Sequence, residues 1–390
     1  MKSIEPFLLE RFFARHEFSA AHLLSSSDCE SLPLGELLAL EPGASEGLLA
    51  LRLGYTETRG APALRRDIAA TYPAPAAGGP GPEGVFVHAG AEEAILNFFL
   101  ATVGQGDHVV VNAPAYQSLA AIPRWLGAAV TSWPLRVEAG TGGGGRWFLD
   151  PDELERLLIP RTKLVVLNAP HNPTGALPTR EEFAAIVAAC RRSGAVLLVD
   201  EVYRGLERDG ARRLPSACEA YENGVSLNVL SKAAGLAGLR IGWLASRRAD
   251  LLDAVATVKD YNTICSSGPS EYLAGLALRS IDRLVSRNRG LCEANLALFE
   301  AFLASHPGFA SWTAPEGGSI GFPRLGPATA AAFGGDAEAL ALALLEAEGV
   351  LLLPGAYYAA DPAHFRVGFG RATFAAGLAR LGAWTVARGF

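Results

Sequence analysis

The sequence predicts an α/β protein with a mostly parallel, seven-stranded sheet covered on both faces, followed by a smaller α+β unit. Two observations carry this. Between residues 85 and 244, short apolar runs alternate with helical patterns, as strands buried on both faces require. From about residue 248, long helical stretches give way to mixed strand and helix signals.

Along the chain, the first stretch is amphipathic and helical, loosening around Ser25-Ser26-Ser27-Asp28, and a short helix at 36–40 stops at Pro42-Gly43. A polar loop through Tyr55 and Gly60 enters a helix with Pro62 in its first turn. The Pro- and Gly-rich stretch 73–82 reads as a surface loop. The expected strands are Val85–His88, His108–Asn112, Ala129–Trp133, Lys163–Leu167, Ala195–Val199, Val225–Val229 and Arg240–Leu244. Helices are expected at 91–103, 116–126, 151–158 and 179–192, with a flexible loop at Gly140 and Gly142–Gly145. Later, strand-like pieces at 319–322, 350–353 and 364–369 surround a helix at 336–348. The partition expected is an N-terminal segment (1–45) packing with a small domain (276–390), and a large domain (46–275) between them.

The chain's 390 residues are 50% hydrophobic and 19% charged, enough for a large core plus a smaller one. A net charge of −6 without a basic, aromatic-interleaved stripe argues against nucleic acid as a partner, and against a DNA-binding regulator. No stretch is long and apolar enough for a membrane span, and no secretory leader is legible, so a cytoplasmic setting is expected. The five cysteines lack metal or disulfide spacing, so no metal is expected.

Polar groups fall just after the strands, where open α/β sheets bind ligands. Asp200 ends one apolar run, and a carboxylate there can keep a ring nitrogen protonated. Tyr203 can donate to a phenolate. Lys232 can form an imine if burial and neighbouring cations lower its pKa. Gly90-Ala91-Glu92 opens a helix whose free amides suit a phosphate, with Ser231 and Arg240 completing a cup. The turn His171-Asn172-Pro173-Thr174-Gly175 projects Asn172, and Tyr116 can stack on a ring. Arg366 is a charge inside an apolar run and needs an anionic partner if buried. Taken singly, each has a plainer reading as a cap, a core residue or a surface charge.

Taken together, Tyr55-x4-Gly60, Gly90-Ala91-Glu92, Pro114-Ala115-Tyr116, PHNPTG at 170–175, DEVY at 200–203, Ser231-Lys232, GLRIGW at 238–243 and FRVGF at 365–369 resemble the class I/II aminotransferases over nearly the whole chain. These are fold-type I enzymes that use pyridoxal 5′-phosphate. The resemblance implies that Lys232 carries the cofactor as an imine and moves protons, while Asp200 holds the ring nitrogen. It places Asn172 and Tyr203 on the phenolic oxygen, Tyr116 on the ring face, and Gly90, Ala91, Glu92, Ser231 and Arg240 at the phosphate. Arg366, with Asn172, Ser26 and Ser27, faces the substrate. Tyr55 reaches the site of a second subunit, so a homodimer is implied. The implied activity moves an amino group from an L-amino acid to a 2-oxo acid. Val229 stands where the family often has a serine, which removes one phosphate hydroxyl. The segment from Ser25 to Leu37 is similar to capreomycidine synthase, a relative that eliminates and cyclises, so that chemistry is the alternative.

Overall fold

The computed structural model describes residues 3–139 and 145–390. Seven strands form one sheet: β1 (Val85–His88), β2 (His108–Ala113), β3 (Ala129–Pro134), β4 (Thr162–Asn168), β5 (Val196–Asp200), β6 (Gly224–Val229) and β7 (Gly242–Ser246). Their order is β1-β7-β6-β5-β4-β2-β3, and β7 alone runs against its neighbours. β1 is wholly buried and β2, β4 and β5 almost so, which is why they read as continuous apolar runs.

Five helices matter for the site: α1 (Leu8–His16), α2 (Ala91–Thr102), α3 (Gln117–Trp125), α4 (Arg180–Ser193) and α5 (Ile281–Ser305). The start of α4 is fixed by a capping box in which Thr179 and Glu182 satisfy each other's backbone amides. Such a cap contributes about 1 kcal/mol. Helix α5 threads Leu296, Phe299 and Phe302 into a core with Phe365, Val367 and Phe369.

Three expectations need correction. The last strand begins at Gly242, not Arg240. Gly242 lies against the start of α2, where a Cβ would sit 2.8 Å from the Ala91 amide nitrogen. Arg240 precedes it in left-handed backbone, at φ 51°. The run 350–353 is divided: Val350–Leu351 pairs in parallel with His22–Leu23, while Leu353–Pro354 joins Phe365–Gly368 and Ile320–Gly321 in a small antiparallel sheet. Finally, Gly145 opens a strand, Gly145–Phe148, paired with Arg136–Ala139. The rest of the expected loop, Gly140 and Gly142–Gly144, lies outside the described residues.

The N-terminal chain is bound to both parts of the molecule. Leu9 and Phe12 pack with Phe322, Leu351, Leu353 and Tyr358. On the other side, Gln117 in α3 accepts from the Leu8 amide and donates to the Pro6 carbonyl, both at 2.8 Å. Helix α1 is thereby held over the carboxyl ends of the parallel strands.

Candidate active site

A cavity of about 620 Å³ lies under α1, beyond the carboxyl ends of β4, β5 and β6. The sheet supplies its floor. Asp200, the last residue of β5, is buried and accepts from the Val202 amide at 3.2 Å. Tyr203 follows one turn later with its hydroxyl buried and without a hydrogen-bond partner. After β4, the Asn168 Oδ1 accepts from the Asn172 amide at 2.6 Å and fixes the turn that projects Asn172 into the cavity. His171 braces this turn, with Nδ1 on the Thr174 hydroxyl (2.8 Å) and Nε2 on the Pro114 carbonyl (2.7 Å). Burial lowers His171 to about 4, so it is neutral, and an Nε2–H donor to the carbonyl satisfies both contacts.

After β6, Ser231 and Lys232 enter the cavity. The Lys232 Nζ donates to the Ser27 hydroxyl at 2.8 Å and has no carboxylate in ion-pair range among the described residues. Burial lowers its pKa, with Asp28 opposing and Arg366 reinforcing the shift. At the opposite edge, Gly90 caps α2 at φ 91°. The Arg240 guanidinium lies over it, where a Cβ on Gly90 would be 2.2 Å from Nη2. Arg240 also reaches the Ser231 hydroxyl at 3.5 Å. A helix start, a guanidinium and a hydroxyl thus converge, an arrangement suited to a phosphate. Burial raises Glu92 to about 7, and it accepts from the Ser118 hydroxyl at 3.1 Å.

The roof comes from α1, the segment Ser25–Asp28 and the C-terminal part. Arg366 is 1% exposed; it donates to the Ser25 carbonyl at 2.7 and 3.1 Å and also to the Tyr358 hydroxyl. Tyr358 in turn donates to the Asn172 Oδ1 at 2.9 Å, which leaves the Asn172 amide nitrogen for the cavity. No carboxylate lies within ion-pair range of Arg366 among the described residues, so a strong cation is poised for an anion. Asp28 is tied to Arg371 at 2.9 and 3.0 Å. The Tyr116 hydroxyl donates to Glu10 at 2.7 Å.

The structure therefore gathers Ala91, Glu92, Tyr116, Asn172, Asp200, Tyr203, Ser231, Lys232, Arg240, Arg366, Ser26 and Ser27 around one cavity, with Gly90 just behind Arg240. Tyr55 is not among them. It is 90% exposed, on a surface whose loop is joined to the 260–266 loop through Thr56 and the Ser266 carbonyl (3.0 Å). Glu10, Phe13, Glu17 and Tyr358 were not singled out from sequence. For Glu10, Phe13 and Glu17 the only legible signal is the amphipathic alternation of the first helix, which does not show what its faces meet; Tyr358, in the turn Gly355–Tyr358, carries no local signal. A second, larger cleft of about 1230 Å³ shares only Val229 with the cavity and holds none of the site's polar groups.

The family model described as aminotransferase class I and II matches residues 25–380. The chain belongs to the class I and II aminotransferase family. It is 34% identical to capreomycidine synthase from Streptomyces vinaceus, over 94% of this chain and 88% of that protein. Two solved structures superpose at a TM-score of 0.88. One is a PLP-dependent aminotransferase from Streptococcus suis, at 31% identity, covering 99% of this chain and 98% of the other. The second is the PLP-dependent cyclase OrfR, at 32% identity and the same coverage. This aminotransferase-family chain is thus a fold-type I enzyme that uses pyridoxal phosphate. Its cavity fits such a cofactor. Burial lifts the Asp200 carboxyl to about 7, a shift that a protonated ring nitrogen beside it would reverse. The buried, unpartnered Tyr203 hydroxyl matches an anionic ring oxygen.

Proposed function

We propose that the protein is an aminotransferase that moves an amino group from an L-amino acid to a 2-oxo acid, with Lys232 as the cofactor-bearing and proton-carrying lysine. The observation that carries this reading is the Lys232 amine itself. It lines the cavity with Asp200 and Arg366, desolvated and without a carboxylate in contact, so burial shifts it toward its uncharged form. Bound pyridoxal phosphate supplies an aldehyde that condenses with amines and a protonated ring that withdraws electrons from the substrate α-carbon. Asp200 holds the ring nitrogen's proton. Asn172 and Tyr203 donate to the phenolic oxygen, and Tyr116 covers the ring. The amides of Ala91 and Glu92, the Ser231 hydroxyl and Arg240 would hold the phosphate, with Gly90, whose own amide is taken by the His88 carbonyl at 2.8 Å, shaping the turn beneath it. Arg366 anchors the substrate α-carboxylate, with Asn172, Ser26 and Ser27 beside it. Lys232 Nζ would receive and hold the proton that leaves the substrate α-carbon.

Residues 46–275 form the cofactor-binding domain and 276–390 the small domain, with 1–45 joined to the latter. In support, the seven-stranded sheet falls wholly in the first range, and His22–Leu23 pairs with Val350–Leu351. The functional unit is a homodimer. Leu49, Leu53, Tyr55 and Tyr261 are each more than four-fifths exposed, an apolar surface that a second subunit would cover, bringing Tyr55 to its site. Five unpaired thiols suit a reducing, cytoplasmic setting. No helix among the described residues is long and apolar enough to cross a membrane.

Borohydride reduction of the cofactor-loaded protein should fix the cofactor's mass on the Lys232 peptide. An adduct that survives in Lys232→Ala would overturn the assignment. With the adduct absent, turnover should fall by about 10²–10⁴-fold, the usual worth of a positioned acid–base group.

A second reading, PLP-dependent elimination, replacement or cyclisation in a biosynthetic pathway, is favoured by the 34% identity to capreomycidine synthase and the 0.88 TM-score to a cyclase. Product analysis separates the two. Transamination needs a 2-oxo acid acceptor and yields a new amino acid; elimination or cyclisation turns over without one.

A further inference from the structure

If Lys232 carries the cofactor, the charges lining the cavity can be assigned one by one. Asp200 is matched by the ring nitrogen, Arg240 by the phosphate and Arg366 by the substrate α-carboxylate. Asp28 is already neutralised by Arg371 at 2.9 Å. Burial raises Glu92, and it accepts from Ser118, which fits a protonated or fully hydrogen-bonded acid. Two carboxylates are left over, both on the roof. Glu10 accepts from Tyr116 but has no cationic partner in range. The Glu17 side chain, at the C-terminal end of α1, has neither an ion pair nor a hydrogen bond among the described residues. Half-buried, Glu17 has its pKa raised by burial first and then by Asp28 and Glu10, while Arg371 and Lys232, neither in ion-pair contact with it, offset part of the shift.

A helix C-terminus is a poor place for an unpaired carboxylate, because the helix dipole adds to the repulsion. The helix gains nothing from Glu17 by itself. A second observation points to a ligand in the same space. The Ser26 hydroxyl lines the cavity, belongs to a residue only 3% exposed, and has no hydrogen-bond partner. Arg366, lining the same cavity, is held by neutral oxygens only: the Ser25 carbonyl, the Tyr358 hydroxyl and the Asn172 Oδ1 at 3.3 Å.

We propose that the amino acid taken by this site carries a second, distal cation, a guanidinium or an ammonium, and that Glu17, with Glu10 at the rim, receives it. The inference rests on the pyridoxal-phosphate reading above and narrows its substrate class. The α-carboxylate goes to Arg366 and the α-amine to the cofactor beside Lys232. The side chain then extends toward α1, where the unpaired acids meet its charge and Ser26 supplies a neutral hydrogen bond. An acidic side chain would be repelled by Glu17 and Glu10, and a neutral one would leave both without a cation in contact.

The test is an absorbance titration of the cofactor-loaded enzyme with matched pairs: L-arginine against L-citrulline, and L-lysine against L-norleucine. L-citrulline keeps the shape of L-arginine, and L-norleucine lacks only the terminal amine of L-lysine, so charge is the main difference within each pair. The wild type should bind at least one cationic member roughly tenfold or more tighter than its neutral match, about 1.4 kcal/mol. Glu17→Gln should bring that ratio to within roughly threefold while leaving the neutral ligand's affinity nearly unchanged. Equal binding within both pairs in the wild type, or a preference for L-glutamate over all four, overturns the proposal even if the variant fails to fold. A ratio untouched by both Glu17→Gln and Glu10→Gln overturns the assignment to these two acids. Failure of the underlying reading looks different: no borohydride adduct on Lys232 and no spectral change with any amino acid.

Discussion

The floor of the cavity is made of strand ends and the turns that follow them; its roof is made of a helix and a loop near the N-terminus. On the floor, each polar group is held by backbone that the sheet already fixes. Asp200 sits in register beside Asn168, whose amide donates to the Asp200 carbonyl at 2.9 Å. On the roof, position depends on side chains that reach across the molecule: Asp28 to Arg371, Tyr116 to Glu10, Arg366 to the Ser25 carbonyl. A parallel sheet fixes its strand ends to within a hydrogen bond, whereas a helix laid over two surfaces is fixed only by its contacts. The floor therefore suits the chemistry common to a family, and the roof suits the choice of substrate.

The largest effect should come from the floor. Replacing Asp200 with Asn keeps the shape and removes the charge proposed to hold the ring nitrogen's proton. Turnover should fall by about 10²–10³-fold, the scale for losing one preorganised electrostatic group. Stability should move the other way in the cofactor-free protein. Burial raises Asp200 from 3.8 to about 7, so between about pH 4 and 7 the folded chain holds a proton that the unfolded chain has released. Asp200 thus makes stability fall as pH rises through that window. Cofactor-free Asp200→Asn should melt higher than the wild type at pH 8, by roughly 1–3 kcal/mol, with the difference vanishing near pH 4. Melting curves of both proteins at the two pH values check this. A variant no more stable at pH 8 would mean that the carboxylate is already compensated without the cofactor.

The roof should respond less, and in a different parameter. Arg371→Ala removes the two hydrogen bonds that its Nη2 donates to the Asp28 carboxylate and should loosen the segment that carries Ser26 and Ser27. A hydrogen-bonded charge pair of this kind contributes about 1.5–3 kcal/mol. The expected result is a KM raised roughly tenfold or more, with the Lys232 adduct still formed on reduction. If the adduct is lost as well, the roof shapes the floor and the division between them fails.

The same division explains what the sequence disclosed. Floor residues stand at fixed places in a recurring local pattern, an apolar run followed by a turn. That is how Gly90, Asn172, Asp200 and Lys232 could be placed before any coordinates. Roof residues carry no such pattern. Glu10 and Glu17 lie seven positions apart in an amphipathic stretch, and solvent, a partner or a cavity would all suit that spacing. The Asn172–Tyr358–Arg366 chain joins segments 186 and 8 residues apart. Pairing at that range follows from tertiary packing, which local periodicity does not encode. The pairing of Arg136–Ala139 with Gly145–Phe148 is not legible for a related reason: the glycine-rich sequence between them outweighs the alternation of Arg136-Val137-Glu138 and Arg146-Trp147-Phe148.

The smallest effect tests the one place where the floor departs from its family's pattern. Val229 is 4% exposed, packs with Val202, Tyr203 and Ala233, and lines the cavity. In Val229→Ser, the cofactor-free protein loses methyl burial and gains a buried hydroxyl, together about 1–3 kcal/mol of stability. If this position faces the phosphate, the new hydroxyl finds an acceptor once the cofactor binds. Part of the loss is then recovered as affinity, about 0.5–1.5 kcal/mol or a two- to tenfold lower Kd. Melting temperature without cofactor and Kd for the cofactor should thus move in opposite senses, one down and the other tighter. A lower melting temperature with unchanged Kd would place Val229 out of reach of the phosphate. In that case the valine belongs to the wall between the cavity and the larger cleft behind it, and the phosphate cup is complete with Ser231, Arg240 and the start of α2.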